Sequence, residues 1–135
     1  HGDTMVPLPR YTTVGGIPIT QLMSEDRIEA ISARTAGGGG EIVKLLERGS
    51  AFYAPGSAAA IMAEAVLNDR RRVIPASCHL TGQYGLEDVY IGVPCILGAN
   101  GVETIFELDL SDAELESLQG SANFYKGQLK DILGY

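Results

Sequence analysis

Three runs rich in β-branched and apolar residues, separated by short polar turns, constrain this chain more than any other feature. They cover residues 73–80, 89–97 and 102–107. Asn100-Gly101 lies between the last two runs, and we expect a hairpin there with a type I′ turn centred on this pair. Strands with connections this short run antiparallel, because a parallel pair needs a crossover of a dozen or more residues. The sequence therefore predicts a three-stranded antiparallel meander.

Helical patterns precede the predicted meander. Ser24 is a suitable N-cap for a first helix, and acidic side chains follow it in the opening turn. Gly37–Gly40 interrupt the pattern, and we expect a kink there between two helical pieces, the second ending near Arg48. A glycine-rich stretch can also cradle a phosphate, but this one follows a helix and lacks the spacing of a nucleotide-binding fingerprint.

Two further helices are predicted. An alanine-rich helix over residues 57–68 is expected to turn four residues inward: Ile61, Met62, Ala65 and Val66. The last helix starts with Ser111-Asp112-Ala113-Glu114, which is a capping box, and carries an apolar stripe at alternating steps of three and four. A coiled-coil partner could use that stripe, but packing on the sheet of the same chain is the simpler use. The order of elements indicates an α+β fold with helices packed on an antiparallel sheet.

Acidic residues dominate the second half of the chain. The net charge is -7, and residues 73–124 contain eight acidic residues and no Lys or Arg. A nucleic-acid surface needs clustered cations, and the one cluster, Arg70–Arg72, is interpreted as a solvated helix end. No apolar run approaches the length of a membrane span. We therefore expect neither a nucleic acid nor a membrane as a partner.

The two cysteines, Cys78 and Cys95, lie in no CxxC pair, so we expect no metal site and no disulfide framework. If the first two strands form a hairpin, Cys78 lies opposite about Ile91 and Cys95 opposite about Ile74. Four residues along a strand span roughly 13 Å, which is beyond the reach of a disulfide. Free cysteines fit a reducing compartment, and we expect a cytoplasmic protein.

The chain contains two histidines, His1 and His79, and each is considered as a candidate functional residue. His79 follows Cys78 at a strand end, with no acidic neighbour in sequence, and is interpreted as structural. A terminal histidine is usually without function. An N-terminal histidine can bind copper in secreted enzymes, but those are aromatic-rich β-sandwiches, whereas this chain has helical patterns and no Trp.

The run HGDTMVPLPRYTTVGGIPI resembles the segment that holds the proton-transfer histidine in the malate and lactate dehydrogenase family. The likeness continues through GGGEIVKLLERGSAFYAP and QYGLEDVYIGVPCILGANGVETIFELDL and covers nearly the whole chain. HGDTMVPLPRYTTV and GSAFYAP are more similar to the lactate-dehydrogenase-like malate dehydrogenases than to lactate dehydrogenases.

This resemblance implies reversible NAD-dependent oxidation of (S)-malate to oxaloacetate, a reaction of the tricarboxylic acid cycle, with His1 as the proton-transfer residue. Imidazole suits both directions because its unperturbed pKa is about 6.5. In the family, GSAFYAP lies beside substrate and nicotinamide, which would place Ser50, Ala51 and Pro55 on the pocket wall. The alternative is a turn between helices whose aromatic residues belong to the core.

The resemblance also implies an organisation and a set of partners. Residues 1–135 would form the C-terminal catalytic domain, truncated at its N-terminus, with the Rossmann NAD-binding half absent because no GxGxxG follows a strand. The expected partners are that half, malate or oxaloacetate, and further copies in a homodimer or homotetramer. Specificity residues lie upstream of His1 in the family. An L-lactate dehydrogenase and a non-catalytic assembly fragment therefore remain open alternatives.

Overall fold

Residues 4–134 are described by the computed structural model, and they fall into two units, His1–Ala51 and Phe52–Tyr135. In the first unit, β1 (Thr13–Val14) and β2 (Ile17–Pro18) pair as a short antiparallel hairpin. Helix α1 (Glu25–Leu46) then completes this unit. The second unit contains α2 (Tyr53–Leu67), β3 (Arg72–Thr81), β4 (Glu87–Gly98), β5 (Gly101–Ile105) and α3 (Asp112–Leu133).

Helix α1 is continuous, so the predicted kink at Gly37–Gly40 is wrong. Ser24 is the N-cap as expected, in extended conformation, although its side chain makes no capping hydrogen bond. The helix ends at Leu46, just before the predicted end. Propensity argues against four glycines in a helix, but Arg34 and Glu41 form an ion pair at 2.9 Å that spans the glycine segment.

The predicted meander is confirmed. The sheet has the order β3-β4-β5, and both pairs are antiparallel. Its register is also the expected one, since Cys78 pairs with Ile91 and Cys95 with Ile74. Every second residue of β4 between Val89 and Leu97 is buried. This alternation places one face of the sheet in the core and confirms the α+β fold.

The turn between β4 and β5 has a different geometry from the predicted one. Gly98 pairs with Gly101, so Ala99 and Asn100 form the turn. A type I′ turn needs positive φ at both central residues, yet of these four residues only Gly101 has one, at 84°. A residue with positive φ is therefore needed directly after the turn, and glycine fills that position at Gly101. The strand pairing shifts close by, since Leu97 pairs with Val102 but Ile96 pairs with Thr104.

Helix α2 starts earlier than predicted, and half of its expected inward face is wrong. Ala65 is fully buried and Val66 half-buried, but Ile61 and Met62 are 38% and 37% exposed. Ala65 is the buried residue of α2, so this helix packs closely on the rest of its unit only along the side that carries Ala65. The larger side chains at Ile61 and Met62 therefore remain on the surface of this unit.

Helix α3 begins with the predicted capping box, and both of its hydrogen bonds are present between Ser111 and Glu114. The apolar stripe packs on the sheet only along its first half. Ala122 is fully buried, and Leu115 and Leu118 pack against the core. Farther along, Ile132 is 76% exposed. The core of this unit comprises ten buried residues: Ala76, Cys78, Leu80, Tyr84, Leu86, Val89, Ile91, Val93, Cys95 and Ala122.

The arginine cluster is not a simple helix end, because α2 stops at Leu67 and Arg72 already belongs to β3. Arg70 contacts Glu64 of α2 at 3.3 Å, and Arg71 contacts Glu103 of β5 at 2.8 Å. Two of the three guanidinium groups are thus paired with carboxylates of the same chain, and both pairs are exposed. The expectation of solvated side chains is therefore correct, but none of the three arginines belongs to the helix itself.

Candidate active-site segments

His1, the proposed proton-transfer residue, lies outside the described residues. The chain that follows it is packed within the first unit. Met5 and Pro7 line a cavity of about 250 Å³ together with Ile19 of the segment after β2 and with Ile31 and Thr35 of α1. The segment that carries His1 is thus continuous with residues that contact the middle of α1.

Ser50 and Ala51 are the last residues of the first unit, and Pro55 is the fourth residue of the second. Ser50 is exposed and Ala51 is half-buried, and both lie in the connection between the end of α1 at Leu46 and the start of α2 at Tyr53. Pro55 lies in the first turn of α2, where a missing N–H costs nothing because the first four N–H groups of a helix lack intrahelical partners. Two of the three proposed pocket-wall residues thus precede α2, and the third lies in its first turn.

The aromatic pair between these residues does not belong to the core. Phe52 and Tyr53 are 59% and 79% exposed, and their rings stack with centroids 4.8 Å apart. The interpretation of this stretch as a turn with core aromatics is wrong in that respect, because Tyr53 already belongs to α2 and carries its ring on the outside. Two exposed aromatic rings thus follow Ala51 directly in the sequence.

His79 has an acidic neighbour that its sequence context did not indicate. Its Nε2 lies 3.7 Å from Oδ1 of Asp88, and its ring lies 5.0 Å from that of Tyr90. The hairpin register was the signal that could have revealed this, because His79 pairs with Tyr90, two residues beyond Asp88. These side chains lie on the outer face of the sheet, beside a groove of about 450 Å³.

The interior of the second unit holds the two thiols. Cys78 and Cys95 are both free and buried. Burial raises the pKa of the Cys78 thiol to about 11, with smaller contributions from Cys95. A protonated thiol is neither a nucleophile nor a metal ligand. In the part of the chain that the structure describes, no three His, Cys, Asp or Glu side chains cluster so that they could hold a metal ion.

The described residues do not fit the pyrophosphate of a dinucleotide. Such a group binds at a glycine-rich turn between a strand and the N-terminus of a helix. The longest run of glycines, Gly37–Gly40, lies inside α1 and not before it, and Gly15-Gly16 connects two strands, not a strand and a helix. The turn before α1 contains no glycine in its last five residues, Ile19 to Met23, and the helix begins after Ser24. NAD would have to be held mainly by residues outside this domain.

Comparison with known proteins matches this fold and sequence to one family. The model of the lactate/malate dehydrogenase α/β C-terminal domain matches residues 1–134. The chain therefore belongs to the lactate/malate dehydrogenase family, as its sequence resemblance implied. Within that family it corresponds to the C-terminal domain.

Named relatives fall mainly on the malate side of the family. The chain is 63% identical over 123 residues to the malate dehydrogenase of Thermomicrobium roseum, covering 91% of this chain and 40% of that protein. The solved malate dehydrogenase of Salinibacter ruber is 55% identical with a TM-score of 0.94, covering 98% of this chain and 43% of that one. The solved lactate dehydrogenase of Eimeria maxima, with NADH and oxamate, is 46% identical with a TM-score of 0.92, covering 98% and 43%.

The chain thus spans about 40% of the length of the curated relatives that it matches. Residues 4–134 include no helix that combines the length and the apolar character needed to cross a bilayer.

Proposed function

We propose that this chain is the catalytic domain of a malate dehydrogenase that interconverts (S)-malate and oxaloacetate with NAD. The observation that carries the proposal is the identity of up to 63% to proteins named malate dehydrogenase, over nearly the whole chain. The fold is compatible with this role, since it superposes on the Salinibacter ruber enzyme with a TM-score of 0.94.

In the proposed mechanism, His1 handles the proton. During malate oxidation the neutral imidazole accepts the proton of the substrate hydroxyl, and during oxaloacetate reduction the imidazolium donates it back. NAD supplies the hydride chemistry when it is bound, and the described residues offer it no pyrophosphate site. The support for His1 is its position in HGDTMVPLPRYTTV, the segment that resembles the family's proton-transfer segment.

Ser50, Ala51 and Pro55 are proposed to form part of the wall beside substrate and nicotinamide. Two features support this assignment. The small side chains of Ser50 and Ala51 leave space next to the chain, and the exposed rings of Phe52 and Tyr53 provide apolar surface close to them in sequence. An active site that excludes water needs such surface.

The proposed partners are a dinucleotide-binding domain and further copies of the protein in a homodimer or homotetramer. Several large apolar side chains support this, because they are exposed on the units described here: Leu45, Tyr53, Leu67, Val73, Tyr90 and Ile132. Contiguous exposed apolar surface marks interfaces, and we propose that these side chains contribute to such surface. Two free buried cysteines support a reducing compartment, and we propose the cytoplasm.

The second candidate is a lactate dehydrogenase. The observation that favours it is the 46% identity to the Eimeria maxima lactate dehydrogenase. The two activities share the proton transfer and differ in the group attached to the carbonyl of the substrate, and the family resemblance implies that the main residues separating them lie upstream of His1.

Steady-state reduction of oxaloacetate and of pyruvate by the intact protein, with NADH as the hydride donor, tests the proposal. We expect a kcat/KM for oxaloacetate at least about 100-fold above that for pyruvate, because a site built for a charged group rejects substrates that lack it by large factors. A preference for pyruvate would replace malate dehydrogenase with lactate dehydrogenase, and absence of both activities would leave the assembly fragment.

A further inference from the structure

Helix α1 contains a built-in weak point. Four consecutive glycines, Gly37–Gly40, lie inside this helix of 22 residues, and each costs the helix about 1 kcal/mol relative to Ala. The piece beyond them, residues 41–46, is much shorter than the dozen residues that an isolated helix needs. Its helical state therefore depends on continuity through the glycines.

Packing within the chain does not demand these glycines. A Cβ atom added at any of the four would meet nothing within 4 Å, and none of the four has a positive φ. Alanine would fit at each position as far as the described residues are concerned. What the glycines change is therefore the stability of the helix at this point.

One ion pair spans the weak point. Arg34 donates two hydrogen bonds to the carboxylate of Glu41, from Nη2 at 2.9 Å and from Nε at 3.1 Å. The two residues are seven positions apart, which is two helical turns, or about 10 Å along the axis. Their side chains thus bridge the glycine segment lengthwise, beside a groove of about 390 Å³ that Gly38 and Ile42 help to line.

The Arg34–Glu41 contact is charged and accessible to solvent. The hydrogen bonds and charge of Arg34 lower the pKa of the Glu41 carboxyl, and those of Glu41 raise the pKa of Arg34. The side chains are 78% and 45% exposed. An exposed pair is screened by dissolved ions, so its strength depends on the ionic environment.

We propose that Gly37–Gly40 form an opening point of α1 and that the Arg34–Glu41 ion pair is the latch that keeps it closed. When the latch is released, the helical hydrogen bonds of the glycine segment open roughly two- to fivefold more often, and residues 41–51 gain freedom in proportion. This stretch includes Ser50 and Ala51. The device is a property of the helix and holds for whichever substrate the domain serves.

Hydrogen–deuterium exchange of the 135-residue chain, at constant pH, tests the latch. The amides of residues 41–44 report on it, because they donate to the carbonyls of residues 37–40 in the helix. In Glu41→Gln we expect them to exchange roughly two- to fivefold faster than in the unmodified chain. Glu29→Gln, which makes the same change of charge on the exposed surface of α1, is expected to leave their exchange unaltered.

Two further measurements separate the latch from the opening point. About 0.5 M NaCl should speed exchange of these amides in the unmodified chain and have little effect in Glu41→Gln. The double variant Gly39→Ala/Gly40→Ala should slow it by about 10- to 30-fold. Equal exchange in Glu41→Gln and the unmodified chain, at low and high salt, would refute the latch. Unaltered exchange in the double alanine variant would refute the opening point.

Discussion

The hydroxyl of Tyr84 donates a hydrogen bond of 2.8 Å to the carbonyl oxygen of Phe106, and it accepts one of 2.9 Å from the N–H of Leu108. The backbone of Tyr84 is bound as well. Its N–H donates to the carboxylate of Glu107 at 2.8 Å, and its carbonyl accepts from the side-chain amide of Gln119 at 3.0 Å. One residue of the β3–β4 loop therefore fixes both the chain after β5 and the helix α3.

Tyr84→Phe removes the hydroxyl and leaves a backbone donor and acceptor without this partner in a part-buried place. We expect the free energy of unfolding to fall by about 1–3 kcal/mol, measured by urea denaturation. Tyr90→Phe makes the same chemical change on a side chain that is 68% exposed and should have little effect. Equal losses in the two variants would mean that the Tyr84 bridge contributes nothing.

Gly85→Ala should destabilise the same corner for a different reason. Gly85 has a φ of 68°, which costs an L-residue about 1–2 kcal/mol, and an added Cβ would lie 3.4 Å from the amide of Gln119. Gly92→Ala is the matched control, since Gly92 has an ordinary strand conformation and open space around it. If thermal denaturation gave both variants the same midpoint, the left-handed conformation would not explain this glycine.

Ser111→Ala should lower the free energy of unfolding by about 1 kcal/mol, because it removes the hydroxyl that accepts from the N–H of Glu114. Ser24 occupies the same position before α1 but makes no such hydrogen bond, so Ser24→Ala is expected to cost less. Denaturant titration of both variants measures the difference. A larger loss in Ser24→Ala would contradict the assigned capping geometry.

The Cys78 thiol should make the free energy of unfolding fall at alkaline pH. Burial, with smaller contributions from Cys95, raises the pKa of its thiol from 9.0 to about 11. The unfolded chain therefore loses this proton before the folded chain does, and the contribution is complete below pH 9.0 and falls as pH rises toward about 11. The stability difference between the unmodified chain and Cys78→Ala should narrow across that interval. A constant difference would show that the thiol titrates normally.

In the intact enzyme, His1→Asn keeps a polar side chain of similar size but removes the base. We expect kcat/KM for malate to fall at least about 100-fold, equivalent to roughly 2.7 kcal/mol of transition-state stabilisation. In the unmodified enzyme, oxaloacetate reduction should weaken as pH rises through the titration of this histidine, and malate oxidation as pH falls through it. His79→Asn, on the outer sheet face, should retain normal kinetics. Normal turnover in His1→Asn would remove His1 from the mechanism.

The meander could be predicted in detail because its information is local. Alternating apolar residues mark the face of each strand, and short connections leave one register in which Cys78 meets Ile91. The continuity of α1 could not be predicted in the same way. The helix runs through a segment of poor helix formers. The Arg34–Glu41 ion pair that spans this segment joins side chains two turns apart, and helix propensities, which are assigned to single residues, do not include such a contact.

The candidate site was accessible to sequence reasoning only through family resemblance. Ala51 has no reactive group that would indicate a site. A histidine such as His1 does not indicate catalysis unless the residues around it are known. Burial was the least predictable property of this region. Phe52 and Tyr53 are aromatic residues of the kind that usually lie in a core, yet both are exposed. The residue at which α2 starts determines whether these rings face the core or the surface.

Strands β3, β4 and β5 each pair with the next strand along the chain, and only residues 82–86 and 99–100 separate them. Closing loops of this length costs little chain entropy, so the meander has a low contact order and few slow steps on its way to the native state. Its pairing also needs no residue before Arg72. On a ribosome, the sheet would thus assemble quickly once β5 has emerged, and Tyr84 gains its partners in the chain that follows β5.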